Sequence, residues 1–322
     1  MKEEHQIAIN AFEKEVAEGL TAFPKYLSSK FIYDETGDTL FQKIMELPEY
    51  YLTNAEYDIF KEQKQKIVHY FDPDKNGFDL IELGAGDGKK TKILLRELLD
   101  NHHSFTYHPI DISKNAVEGL TKNLVKEFPE IQAKGLVGEY FEVLDRLQHI
   151  SDRKKVIMIL GSNIGNLLHP KAIHFLKKLR NTMEADDMVF MGFDQKKHPQ
   201  KILDAYNDKT GVTAAFNKNV LARINKELGG NFDLDSFIHW EVYNPESGTA
   251  KSYLVSTKKQ SVVIEGLAQE IHFEAWETIH TEISQKYDDD TVQWLTKESG
   301  LKVVQSFTDK DEYYKNYVFQ KI

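Results

Sequence analysis

Phe78-Asp79-Leu80-Ile81-Glu82-Leu83-Gly84-Ala85-Gly86-Asp87-Gly88 runs from a short apolar stretch straight into glycines. A run of that length ending in a turn signal reads as a strand buried on both faces. Residues 90–99 then repeat leucines at helical spacing, so the glycines mark a strand-to-helix turn. The alternation continues outward: strand at 106–110, helix at 115–128, strand at 156–160, helix at 171–182, strand at 188–193. Strands alternating with helices predict an α/β fold, a parallel sheet with helices on both faces.

After Asp194 the pattern changes. Segments 201–207 and 220–228 look helical. Segments 237–243, 252–256, 261–265 and 270–273 then alternate like antiparallel strands. Such a block does not continue a strand–helix sheet and is expected to be an inserted α+β lobe. The end reads as helix 290–299 and strands 302–307 and 313–319, which are expected to pair as a hairpin at the sheet edge. Asp288-Asp289-Asp290 reads as the start of that helix, where carboxylates favour the dipole, rather than as a metal site.

Composition narrows the function. A chain of 322 residues is long enough for two lobes. A net charge of -10 argues against a general nucleic-acid binder, which needs a basic surface. The absence of cysteine removes disulfides, thiolate metal sites and a cysteine nucleophile. His102-His103, His272 and His280 do not form a zinc motif, so no metal is expected. Met1-Lys2-Glu3-Glu4-His5 lacks a signal-peptide pattern, and runs such as Val156-Ile157-Met158-Ile159-Leu160 are too short for a membrane span. A cytoplasmic monomer without membrane or nucleic-acid partners is the expectation.

The glycine turn admits a sharper reading. A dinucleotide fingerprint needs a third glycine where Lys89 stands, and a phosphate loop needs glycine at Leu83 and Ser or Thr at Lys90. Both fail. What remains is E-x-G-x-G after the first strand, through Glu82, Gly84, Gly86 and Gly88, with Asp111 ending the next strand. An acid there can accept bonds from both ribose hydroxyls. A ligand with a ribose and no phosphate fits this set, and S-adenosylmethionine is the expected one.

Several further segments resemble the L-histidine Nα-methyltransferase family, whose members make trimethylhistidine on the route to ergothioneine. They are Phe31-Ile32-Tyr33-Asp34 with Gly37 and Leu40-Phe41, and Leu47-Pro48-Glu49-Tyr50-Tyr51 with Thr53 and Glu56. Gly161-Ser162-Asn163-Ile164-Gly165-Asn166-Leu167 follows, then Ala205-Tyr206-Asn207-Asp208 and Gly211-Val212-Thr213-Ala214-Ala215-Phe216-Asn217, and last Thr281-Glu282-Ile283-Ser284. The resemblance spans about Gly19 to Tyr287. It implies a class I, Rossmann-like methyltransferase core at 61–195 and 287–322, with a substrate-binding lobe from 1–60 and 196–286.

The resemblance also implies roles. Tyr50, Gly84, Lys90 and Asp111 match family cofactor positions, and Glu139 and Tyr140 stand where the family has Asp-Phe beside the adenine. Asn166 and Tyr206 match residues that hold the amino-acid end, and Tyr33 lines the same pocket. These three are the catalytic candidates. Glu282 and Ser284 match residues that contact the imidazole, a pairing that suits a carboxylate and a hydroxyl. Tyr50 also counts among the substrate-binding residues.

Two positions depart from the family. Ser252 stands where a methionine lies beside the imidazole, and Asn163 replaces a threonine, so the preferred side chain is open at this point. Related fungal enzymes methylate a prenylated tryptophan amine. A nucleic-acid amino-methyltransferase is disfavoured because Gly-Ser-Asn-Ile-Gly-Asn occupies the place of its (Asp/Asn)-Pro-Pro-aromatic turn. A non-catalytic S-adenosylmethionine-binding protein is the remaining rival. Taken singly, Asn166 reads equally as a helix cap, Tyr206 as a core residue, Glu282 as a solvated strand position, and residues 61–66 as a solvated helix face.

Overall fold

The computed structural model describes residues 2–112, 114–148 and 152–322, with side chains described outside residues 2–10, 140 and 146–148. Helix α1 (Lys2–Thr21), the short strand β1 (Lys25–Tyr26), and helices α2 (Glu35–Glu46) and α3 (Tyr51–Phe71) come first. Alternation then runs β2 (Phe78–Leu83), α4 (Thr91–Asp100), β3 (Phe105–Asp111), α5 (Lys114–Glu127) and β4 (Leu136–Val137). It continues through α6 (Tyr140–Gln148), β5 (Lys155–Ile159), α7 (His169–Asn181) and β6 (Met188–Asp194). Helices α8 (Pro199–Tyr206) and α9 (Val212–Leu228) precede strands β7 (Phe237–Asn244), β8 (Thr249–Ser256), β9 (Gln260–Ile264), β10 (Gln269–Phe273) and β11 (Thr278–Gln285). Helix α10 (Asp289–Ser299) and strands β12 (Leu301–Thr308) and β13 (Tyr314–Lys321) close the chain.

Two compact units result: Met1–Tyr51 with Lys197–Ser284, and Leu52–Lys196 with Gln285–Ile322. The expected boundary at residue 60 falls inside α3. This is one continuous helix whose Ile59, Phe60, Ile67, Val68 and Phe71 are buried in the core of the second unit.

The second unit holds a seven-stranded sheet in the order β12-β13-β6-β5-β2-β3-β4. β2 pairs in parallel with β3 and with β5, and β5 with β6. β13 runs antiparallel to both β6 and β12, so the closing hairpin lies at the edge as its sequence implied. Successive side chains of a strand point to opposite faces, and here each face has its own core. Leu80, Tyr107, Val156, Met158 and Phe190 pack with α3 and α4. Ile81, Ile157, Ile159, Val189 and Met191 pack with α7 and α10. Helices on both sides explain why β2 is buried at every position. The acidic run does start a helix: Asp288 caps α10 by accepting from Thr291 N at 2.8 Å.

The first unit carries a four-stranded sheet, β1-β11-β8-β7, and a separate β9–β10 hairpin. The alternation read from the insert holds. β7 buries Phe237 and Glu241 and exposes Ile238, Trp240 and Val242. Helix α9 covers the sheet with Phe216, Val220, Leu221 and Ile224. Among the described residues no helix is long and apolar enough to cross a membrane.

Candidate functional site

In the second unit the chain builds outward from β2 to β3 and β4, then returns to place β5 on the other side of β2. The carboxyl end of β2 is therefore a topological switch point, the place where open α/β sheets bind ligands. The glycine turn occupies it. Gly84 N donates to Ile110 O at 2.9 Å, tying the turn to the end of β3. Gly86 has φ +54°, which a β-carbon disfavours, and a β-carbon built there would meet nothing within 4 Å. At Gly88 the same atom would lie 2.6 Å from Leu120 Cδ1. One glycine leaves space open above the turn, and the other lets α5 pack beneath it.

Asp111 ends β3 half-buried, and its carbonyl accepts from Gly138 N at 3.1 Å. That bond brings Glu139, which is exposed, beside the same strand end. The Tyr140 side chain lies outside the described residues. Glu82 sits deeper. Its oxygens accept from Thr91 Oγ1 at 2.8 Å and Tyr107 OH at 2.5 Å. Burial outweighs both bonds and pushes its carboxyl up to about 7. Glu82 therefore braces the turn from below.

Lys90, at the entry to α4, pairs with Glu56 of α3. A β-carbon built on Gly161 would lie 3.8 Å from Lys90 Nζ and 3.9 Å from Asn163 Oδ1. Lys90 and Asn163 thus flank the turn that follows β5. That turn is fixed by Ser162, which has φ +56° and accepts from Asp194 N at 3.0 Å. Asn163 and Asn166 bound it, and both are exposed. Helix α7 begins after Leu168 with no side-chain cap, so Asn166 does not serve as its cap.

The first unit gathers the other candidates. Tyr206, at the end of α8, is 7% exposed, and its hydroxyl lies 2.8 Å from Ser284 Oγ on β11. Tyr50 stacks edge-on against Tyr206 at 6.1 Å and against Phe41 at 6.3 Å. Phe41 and Phe216 in turn pack on Tyr33. Tyr33 is about one-third exposed (36%). Burial of its hydroxyl, followed by the Glu282 charge, raises that hydroxyl well above the usual tyrosine value. Tyr33, Tyr50, Tyr206, Glu282 and Ser284 therefore belong to one polar and aromatic group.

Ser252 stands slightly apart. It is buried, and its hydroxyl donates to Glu241 Oε2 at 2.6 Å across the β7–β8 register. His239, on the same face of β7, is held neutral because burial lowers it to about 4. Neither Glu241 nor Glu56 was among the sequence candidates. Among the described residues no group of three or more His, Asp or Glu is placed to hold a metal.

A family model described as histidine-specific methyltransferase, SAM-dependent, matches residues 12–321. A histidine N-alpha-methyltransferase of Mycolicibacterium smegmatis is 34% identical over 94% of this chain and 92% of its own. Ergothioneine biosynthesis protein 1 of Neurospora crassa is 30% identical over 90% of this chain, which spans 32% of that longer protein. Among solved structures, magnesium protoporphyrin IX methyltransferase from Synechocystis PCC 6803 with bound SAM superposes with a TM-score of 0.45. Its identity is 9%, covering 89% of this chain and 92% of that one.

Proposed function

This chain belongs to the SAM-dependent, histidine-specific methyltransferase family, and on that premise we propose that it methylates the α-amino group of free L-histidine, ending at trimethylhistidine. The observation that carries the substrate reading is the 2.8 Å contact of Tyr206 with Ser284. It joins the residue assigned to the amino-acid end with one assigned to the imidazole, which sets a short spacing suited to a compact side chain.

S-adenosylmethionine supplies a methyl group on a sulfonium. The open space over Gly86 and the acid at Asp111 suit its nucleoside, with Lys90, Glu139 and Tyr140 as further contacts and Glu82 as a brace. Each transfer forms a carbon–nitrogen bond, breaks a carbon–sulfur bond and releases one amine proton, to water in this reading. Asn166 and Tyr206 fix the α-amino-acid end, and Tyr33 takes part in the bonds that orient the amine. Glu282 accepts an imidazole N–H and Ser284 serves either tautomer. Tyr50 closes the aromatic wall, while Ser252 and Asn163 tune its polarity. Catalysis then comes chiefly from alignment of donor and acceptor.

Mass spectrometry after incubation with S-adenosylmethionine and each of the twenty amino acids tests this directly. Mass gains of one, two and three methyl groups on histidine alone are expected. Methylation of a different amino acid would refute the substrate, and methylation of none would refute the reaction.

A further inference from the structure

Glu56 lies in α3, carries none of the roles above, and is fully buried. A buried charge is strongly disfavoured unless it is paired and hydrogen-bonded, and four donors meet this one. Tyr314 OH at 3.1 Å and Asn316 Nδ2 at 2.9 Å, both from β13, bind Oε1. Gly161 N at 2.9 Å and the Lys90 ammonium bind Oε2. The neighbouring strand leaves room for this. A β-carbon on Gly192 of β6 would fall 2.2 Å from Tyr314 OH and 2.5 Å from Glu56 Oε1.

The two oxygens divide the work. Oε1 is anchored to β13, the strand of the closing hairpin that pairs with β6. Oε2 holds one long cation and one backbone N–H, which belong to the glycine-turn helix and to the Gly161–Asn166 turn. A free lysine side chain samples many rotamers and loses that entropy when a ligand fixes it. Holding it in place beforehand removes much of that loss when a ligand binds.

We propose that Glu56 is a positioning residue that sets Lys90 for the methyl donor and the Gly161–Asn166 turn for the amino acid, so that one carboxylate couples both substrates. This rests on the reading of Lys90 as a donor contact and of Asn166 as an amino-acid contact. Glutamine in its place keeps the shape but offers one acceptor oxygen in place of two. Either the β13 pair or the Lys90–Gly161 pair must then face an NH2 group, and the ion pair is lost.

The test is calorimetry of S-adenosylmethionine on the full chain and its Glu56→Gln, Lys90→Met and double variants, with histidine kinetics alongside. Each single change is expected to weaken the donor by about tenfold or more. The double should be no weaker than the worse single, because the two residues act as one. The KM for histidine should rise in Glu56→Gln and stay near wild type in Lys90→Met. A folded Glu56→Gln that binds the donor within about twofold of wild type overturns the proposal, as do losses that multiply in the double. Should Glu56→Gln not fold, Tyr314→Phe with Asn316→Ala frees Oε1 alone, and unchanged donor affinity there overturns it equally. A wild-type chain that binds no S-adenosylmethionine sinks the donor-site reading itself, a distinguishable result.

Discussion

Replacing Glu82 by glutamine should change the pH dependence of stability more than stability itself. The carboxyl is 3% exposed and accepts from Thr91 and Tyr107. Burial raises it from 4.5 to about 7. Because the folded-state value is the higher one, folding takes up a proton between those limits. Stability therefore falls as pH rises through that window, and Glu82 adds no slope below or above it. An interval of about 2.5 pH units at about 1.4 kcal/mol each amounts to about 3 kcal/mol. Glutamine cannot ionise, and the two hydroxyls can turn to accept from its NH2, so its own effect stays constant with pH. Asp208 and Asp288 are lowered to about 2 by hydrogen bonds that outweigh their burial, and they titrate outside the window. His239 contributes equally to both proteins and cancels. Urea unfolding of wild type and Glu82→Gln from pH 4.5 to 8.5 measures the difference. The gap should move by about 3 kcal/mol in favour of glutamine as pH rises. Curves that stay parallel would refute the argument.

Asp111→Ala should weaken S-adenosylmethionine by about 1–3 kcal/mol, the worth of hydrogen bonds to an ionised acceptor. Calorimetry checks this, and unchanged affinity would remove Asp111 from the ribose. Glu282→Ala should lower kcat/KM for histidine more than for an apolar amino acid, and equal losses would take Glu282 out of side-chain recognition. Ser252→Met should destabilise the chain by about 1–3 kcal/mol in thermal or urea unfolding, because it strips a donor from the buried Glu241 carboxylate. A variant as stable as wild type would count against that pairing.

The central sheet was legible because strands buried on both faces are mostly apolar, and a short run such as Phe78–Leu83, with only Asp79 and Glu82 polar and glycines directly after it, has the length and ending of such a strand. The insert was legible for the opposite reason, since strands with one solvated face alternate. β11 entered the reading only as a strand position at Glu282, because its inward side is partly polar. Thr281 is buried, yet it donates to Asn217 at 2.6 Å, so no apolar period marks the strand. Of the three N-terminal helices, only residues 61–66 of α3 were read as helical. In α3, residues 61, 62, 65 and 66 are exposed as expected, but one turn earlier Glu56 is wholly buried. A glutamate on an amphipathic helix looks solvated when read alone. Its donors Gly161 and Asn316 lie 105 and 260 residues further along the chain. Glycine turns and capping acids announce themselves locally; a carboxylate that collects distant donors does not.

Ser252 shows how this bears on specificity. On the resemblance read from the sequence, it stands where the family has a methionine, which makes reversion to methionine the natural probe. The fold makes it half of a pair. Ser252 and Glu241 face each other across neighbouring strands, and the hydroxyl supplies one of the bonds that let a carboxylate stay buried there. An apolar side chain at 252 fits this unit only if 241 no longer needs that donor. On the proposed reading of Ser252 as a pocket residue, the polarity of that wall is set jointly by two strands. Changes in substrate preference are to be sought by varying both positions together, with the stability of each single variant separating a misfit in the core from a true change in recognition.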